Sequence, residues 1–150
     1  MPTPKSPGTY SMMSRDDRGE QKTVLIVDDH PMLRRVMREF LQSAFPGCSF
    51  REAADGAGAL EACHADRPQL VLMDIGLPDA NGIERTARLK TLYPGIEVIV
   101  VSQNSGECYV QKALAAGARA YVCKDHIVTD LVPAVAAAIG IPPATVTGAS

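Results

Sequence analysis

The chain has no apolar run near the roughly 18 residues that a membrane-crossing helix needs. Its N-terminus has no signal-peptide core either, so a cytoplasmic protein with no membrane contact is expected. It has no surplus of positive charge: 15 Lys and Arg against 17 Asp and Glu leave a net charge of -2. Direct nucleic-acid binding by this chain is therefore not expected. It has no CxxC pair and no close Cys/His group, and its four cysteines, Cys48, Cys63, Cys108 and Cys123, read as reduced, structural residues. No internal repeat or low-complexity block is present. The 150 residues, 46% hydrophobic and 21% charged, suit one globular domain with room for a core.

Residues 1–21 carry Pro2, Pro4, Pro7, Gly8 and several Ser without periodicity and read as a disordered tail. Met12 and Met13 offer later natural starts. From 22 to 141, strand and helix signals alternate, and 142–150 form a short tail. Apolar strand runs are expected at 24–27, 70–73, 96–101 and 120–123, with a weaker strand at 49–53. Pro31 suits a first helical turn, and Leu33, Val36, Met37, Phe40, Leu41 and Ala44 then make one apolar stripe, ended by Pro46-Gly47. Asp55 caps a helix to about 65, a third helix covers 83–92, and a fourth covers 106–116 with Gly117 as its stop. Thr129 is the expected cap of a last helix to about 139, with Pro133 tolerated close to its start. Five strands alternating with five helices give an α/β fold, a doubly wound parallel sheet in a single domain.

The chemistry lies at the strand ends. Asp28 and Asp29 follow the first strand, Asp74 ends the third, Ser102 the fourth and Lys124 the fifth. In such a sheet these ends converge on one edge, where ligands bind. Three close carboxylates repel unless a cation or protons intervene. The pattern suggests a hard divalent metal beside a carboxylate nucleophile, with Lys124 as a point charge and Ser102 as a hydrogen-bond donor. That set suits phosphoryl transfer to a carboxylate. Taken singly, an acidic pair after a strand is a helix cap and a strand-end lysine is surface; the ordered set points elsewhere. His30 reads as a loop residue before Pro31 rather than a metal ligand, and His64 and His126 have no partner in the sequence. Arg34, Arg35 and Arg38 lie off the apolar stripe, as a solvated face or as a basic rim for docking a partner.

The segments Val27-Asp28-Asp29-His30-Pro31, Met73-Asp74-Ile75-Gly76-Leu77-Pro78-Asp79 with Asn81-Gly82, Val100-Val101-Ser102, and Tyr121-Val122-Cys123-Lys124-Asp125 resemble the receiver domain of the two-component response-regulator family. The resemblance covers about residues 22–140 and is nearest to receivers joined to LuxR-type helix-turn-helix domains. It implies a flavodoxin-like (βα)5 fold and phosphorylation of Asp74 by a histidine kinase or histidine phosphotransfer protein. It implies Mg²⁺ held by Asp29, Asp74 and the Gly76 carbonyl, with Asp28 acting through water. It also implies a switch pair, Ser102 and Tyr121, and no enzymatic activity beyond self-phosphorylation and autodephosphorylation. A downstream protein target and a homodimer are the partners it suggests. The family has a small residue after the switch hydroxyl, whereas this chain has Gln103, whose bulk is expected to hinder Ser102 or phosphoryl access. No output domain follows within the 150 residues, so a stand-alone receiver is expected, with a receiver piece of a longer DNA-binding regulator as the alternative. An aspartyl-phosphate phosphohydrolase is the remaining rival. Its DxDx(T/V) motif is replaced here by Asp28-Asp29-His30, and there is no cap domain.

Overall fold

The computed structural model describes residues 22–104 and 106–144. The tail expected at 1–21, and 145–150 of the tail expected at 142–150, lie outside the described residues. Five strands form one parallel sheet: β1 (Thr23–Val27), β2 (Ser49–Ala53), β3 (Leu70–Met73), β4 (Glu97–Ser102) and β5 (Ala120–Cys123). Their order across the sheet is β2-β1-β3-β4-β5. Between them run α1 (Pro31–Ala44), α2 (Gly56–Asp66), α3 (Gly82–Leu92) and α4 (Glu107–Ala115), and after β5 a 3₁₀ turn (Lys124–His126) leads into α5 (Ile127–Ile139). This is the flavodoxin-like doubly wound α/β fold. The chain crosses from one side of β1 to the other after β2, which opens a crevice at the carboxyl ends of β1 and β3.

The central strands β1, β3 and β4 are largely apolar because both sheet faces are covered there, whereas the edge strand β2 carries Arg51 and Glu52. Alternate residues point to opposite sides. Val24, Ile26, Leu70, Leu72, Ile99 and Val101 pack with Met37 and Leu41 of α1 and Leu131 and Val135 of α5. Leu25, Val27, Val71, Met73 and Val98 pack with Ala59 and Cys63 of α2 and Leu89 of α3. Val100 and Ile75 meet Ala113 of α4. Each fully buried aliphatic side chain contributes roughly 1.5–3 kcal/mol, so the two layers together hold the strand ends in register.

Local signals place the helix starts. Asp55 accepts a hydrogen bond from the Gly58 N–H at 2.7 Å, the expected cap of α2. Asn81 caps α3 through the Ile83 and Glu84 N–H groups. Gly117, at φ 109, ends α4 in a region that costs other residues strain. Three expectations need correction. Val36 is 50% exposed, because α1 turns only Met37, Leu41 and Ala44 fully onto the sheet. Thr129 does not cap α5: the helix starts at Ile127 and the Thr129 hydroxyl donates to the His126 carbonyl. Pro133 consequently lies in the helix interior, on its exposed side.

The basic residues of α1 form no free rim. Arg34 Nε and Arg38 Nη1 each lie 2.7 Å from a different carboxylate oxygen of Glu52 on β2, and Arg35 faces Glu39 one turn on. The two guanidinium groups hold the Glu52 carboxyl below its ordinary value of 4.5. A lowered folded pKa stabilises above the unfolded value and loses that contribution as pH falls through the folded one. Glu52→Gln is therefore expected to cost about 1 kcal/mol at neutral pH. Urea unfolding should show the gap between variant and native chain closing as the pH drops below 4.5. An equal gap at neutral and acid pH would show that the pair contributes packing and no charge interaction.

Candidate functional site

The carboxyl ends of β1, β3, β4 and β5 bring Asp28, Asp29, Asp74, Ser102 and Lys124 to one sheet edge. Backbone pairing sets the alignment: the Asp28 N–H donates to the Ala53 carbonyl at 3.1 Å and the Asp74 N–H to the Val27 carbonyl at 3.1 Å. Asp28 is 1% exposed and Asp74 6%. Asp29 is about one-third exposed at the rim. One ligand atom from each of Asp28, Asp29, His30 and Asp74 lies within 4.8 Å of the others.

Lys124 is the cation of this centre. Its Nζ stands 2.8 Å from Asp28 Oδ2 and 3.4 Å from Asp74 Oδ1, and its side chain is 7% exposed. Of the two, Asp28 is the nearer partner. The short Lys124–Asp28 contact lacks hydrogen-bond alignment, so Asp28 Oδ2 has a charge beside it and no hydrogen bond. Asp29 Oδ1 is likewise buried without a hydrogen bond. Burial pushes the Asp74 carboxyl above the usual carboxylate range; Lys124 works against this and the nearby Asp28 charge adds to it. The Gly76 N–H donates to the Asp74 carboxylate and lowers it somewhat.

Two buried carboxylates and a third at the rim share one ammonium. The donor set is mainly carboxylate oxygen, and two of those oxygens have no hydrogen bond. Such a set fits a hard divalent cation, and the acidic cluster is one that could bind a metal.

The loop after Asp74 is fixed from several sides. Gly76 bridges to Asn81, and the Gly82 N–H donates to the Ile75 carbonyl at 2.9 Å. A Cβ at Gly82 would lie 1.9 Å from the Asp74 carbonyl oxygen, so only glycine permits this approach. Asp79 accepts the Gly56 N–H at 2.7 Å and the Ala57 N–H at 3.0 Å, tying the same loop to the first turn of α2. From sequence Asp79 has no role beyond its place in the motif, because its partners lie 23 and 22 residues away across the sheet edge. Arg34 was missed in the same way: besides holding Glu52, its Nη1 donates to the Asp28 carbonyl at 2.6 Å.

Ser102 is buried, and its Oγ accepts from the Asn104 N–H at 3.1 Å. The half-buried Tyr121 donates its hydroxyl to the Asn104 carbonyl at 2.5 Å. Both residues therefore grip the two ends of one peptide-bearing residue. Gln103 is exposed and lines a cleft of about 410 Å³ with His30, Met32, Leu33, Val36 and Lys124. His30, expected to be a plain loop residue, has Nδ1 at 3.2 Å from both Asp28 Oδ1 and Asp29 Oδ1. Of the cysteines, all four are free thiols; Cys48 and Cys63 are buried, but Cys108 is exposed on α4 and has no structural place. His64 does have a partner, the Tyr93 hydroxyl at 3.2 Å.

Comparison with known proteins follows the same lines. The profile of the family described as response regulator receiver domain matches residues 24–136. Transcriptional activator protein ExaE of Pseudomonas putida is 39% identical over 101 residues, 67% of this chain and 47% of the relative. Chemotaxis protein CheY of Halobacterium salinarum is 37% identical over 103 residues, 69% of this chain and 84% of the relative. A solved two-component response regulator of the LuxR family from Aurantimonas sp. SI85-9A1 superposes with a TM-score of 0.75 at 31% identity, covering 81% of this chain and 88% of that one. The chain spans about half the length of the first curated relatives it matches.

The repulsion at the centre has a measurable cost. Asp74→Asn removes one desolvated charge and leaves Lys124 its closer partner, Asp28. In metal-free buffer this variant should be more stable than the native chain, by on the order of 1 kcal/mol. Chemical denaturation would check it, and a less stable variant would mean that the Asp74–Lys124 attraction outweighs burial.

Proposed function

The chain belongs to the response regulator receiver family, and on that premise we propose that Asp74 accepts a phosphoryl group from a histidine kinase or a histidine phosphotransfer protein. The observation that carries the reading is the placement of Asp74 at the buried end of β3, 3.4 Å from Lys124 and within reach of Asp28 and Asp29. In the transfer, an Asp74 oxygen attacks phosphorus, a P–O bond forms and the P–N bond to the donor imidazole breaks. The imidazole leaves with the electron pair. Lys124 already stands between Asp28 and Asp74 and turns its ammonium to the arriving phosphoryl oxygens. Asp29, Asp74 and the Gly76 carbonyl would hold Mg²⁺ in this reading, with Asp28 acting through water. Mg²⁺, when bound, neutralises charge on the transferred group.

Ser102 and Tyr121 are the switch in this reading. Ser102 Oγ turns from the Asn104 N–H toward a phosphoryl oxygen. Asn104 is then free to shift, and the Tyr121 hydroxyl loses its anchor. Two packings of the β4–α4 loop differ in population with phosphorylation. The signal leaves through α4, β5 and α5, where Tyr109, Leu114 and Val128 are exposed apolar side chains. A downstream protein or a second copy of the chain docks there. The chain acts in the cytoplasm as a phosphoacceptor, with self-phosphorylation and autodephosphorylation as its only chemistry.

Incubation with a small-molecule phosphodonor and Mg²⁺, read by intact mass, should add one phosphoryl group to the native chain and none to Asp74→Asn. An acid-stable adduct on the variant would move the acceptor elsewhere. The cleft wall at Gln103 gives a second expectation. Gln103→Ala should speed this labelling by about threefold, equivalent to about 0.6 kcal/mol of barrier. An unchanged rate would show that Gln103 leaves the entry path open.

A further inference from the structure

We propose that His30 is a direct ligand of this centre, which makes it a mixed nitrogen–oxygen site that holds first-row transition ions such as Mn²⁺ more tightly than its carboxylates alone would. The inference rests on reading the centre as a metal site and adds the class of ion that this particular chain favours.

The geometry is that of one coordination edge. His30 Nδ1 lies 3.2 Å from Asp28 Oδ1 and 3.2 Å from Asp29 Oδ1. Two ligands each about 2.1 Å from one ion at a right angle stand about 3.0 Å apart. The imidazole nitrogen is thus placed at the spacing of a neighbouring ligand from Asp29, a direct ligand in this reading, and it also faces Asp28, which acts through water. Independently, Asp29 Oδ1, the oxygen that faces the ring, is buried and has no hydrogen bond, and Asp28, 1% exposed, has only the Lys124 ammonium beside its Oδ2. The backbone holds the ring near this position. The His30 N–H donates to Asp28 Oδ1 at 2.9 Å, and Pro31 at the first position of α1 fixes the following turn. The side chain is 66% exposed, so the ring stands at the solvent rim of the site.

Ligand chemistry then decides the ion. Carboxylate and carbonyl oxygens suit Mg²⁺ and Mn²⁺ alike, whereas an imidazole adds little for Mg²⁺ and more for a transition ion. The competing account is that Nδ1–H only donates to the two carboxylates and screens their repulsion. In that case removing the ring changes the affinity for both ions by the same factor.

Calorimetric titration of the full chain with Mn²⁺ and with Mg²⁺ separates these accounts, using native protein, His30→Ala and His30→Gln. Loss of His30 should weaken Mn²⁺ by about tenfold and leave Mg²⁺ within about twofold. The electron spin echo of Mn²⁺ bound to the native chain should carry nitrogen modulation, lost in both variants. The exposed ring makes no core contact, so both variants are expected to fold, and circular dichroism checks this. Equal changes for both ions, or an echo without nitrogen coupling, would overturn the role of His30 and leave the carboxylate site standing. No binding of either ion by the native chain would overturn the metal site itself, and this inference with it.

Discussion

The interaction on which the rest depends is the single Lys124 ammonium set between Asp28 and Asp74. Both carboxylates are nearly out of water, and Lys124 is nearly as buried as they are. One cation does not balance two acids and a third at the rim. Burial pushes the Asp74 carboxyl up, and two carboxylate oxygens lack hydrogen bonds. A centre of this kind does not hold itself together. It persists because β1 and β3 are fixed elsewhere, by side chains that are fully buried on both sheet faces and by backbone pairing that runs up to the acids themselves. The core supplies the stability that the site gives up, a division common where function needs strain.

Around that centre, ionic and polar contacts fix position and add only modest energy. Arg34 reaches both the Asp28 carbonyl and the Glu52 carboxylate, linking α1, β1 and β2. Asp79 reaches the first N–H groups of α2, where a carboxylate also meets the positive end of the helix. Gly82 lets α3 begin against the Asp74 backbone. Each contact fixes one loop that borders the centre. The half-exposed ones contribute little to stability by themselves, yet together they leave few ways for the acids to separate and relieve their repulsion.

The strand runs, the helix sequence and the convergence of Asp28, Asp29, Asp74, Ser102 and Lys124 were legible because each depends on local pattern: an apolar run, a polar residue that ends it, and alternation with helices. The Asp55 cap and the Gly117 stop were legible for the same reason. What failed was long-range or directional. Arg34 and Arg38 looked free because their partner, Glu52, is chosen by which strand lies beside β1. Val36 fits the helical stripe by spacing but stands on its edge, where α1 leaves the sheet. The start of α5 was misplaced at Thr129 because a 3₁₀ turn continues from Lys124, and no side chain caps the join. His30 does lie in the loop before Pro31 as expected; only its distance to two carboxylates was hidden, because it depends on how the chain bends between β1 and α1.

The same centre explains why one residue, Asn104, has disproportionate leverage. Its N–H holds Ser102 and its carbonyl holds Tyr121, so neither side chain moves alone. Ser102 is buried at the end of β4, while Tyr121 is half-buried on β5. Any turn of the Ser102 hydroxyl away from this position costs Asn104 one of its two contacts. The adjoining Gln103 is exposed, so its bulk bears on the cleft over Lys124 rather than on the buried side of the loop. The two neighbours therefore face different surroundings: Gln103 lines the cleft beside Lys124, and Asn104 joins Ser102 to Tyr121.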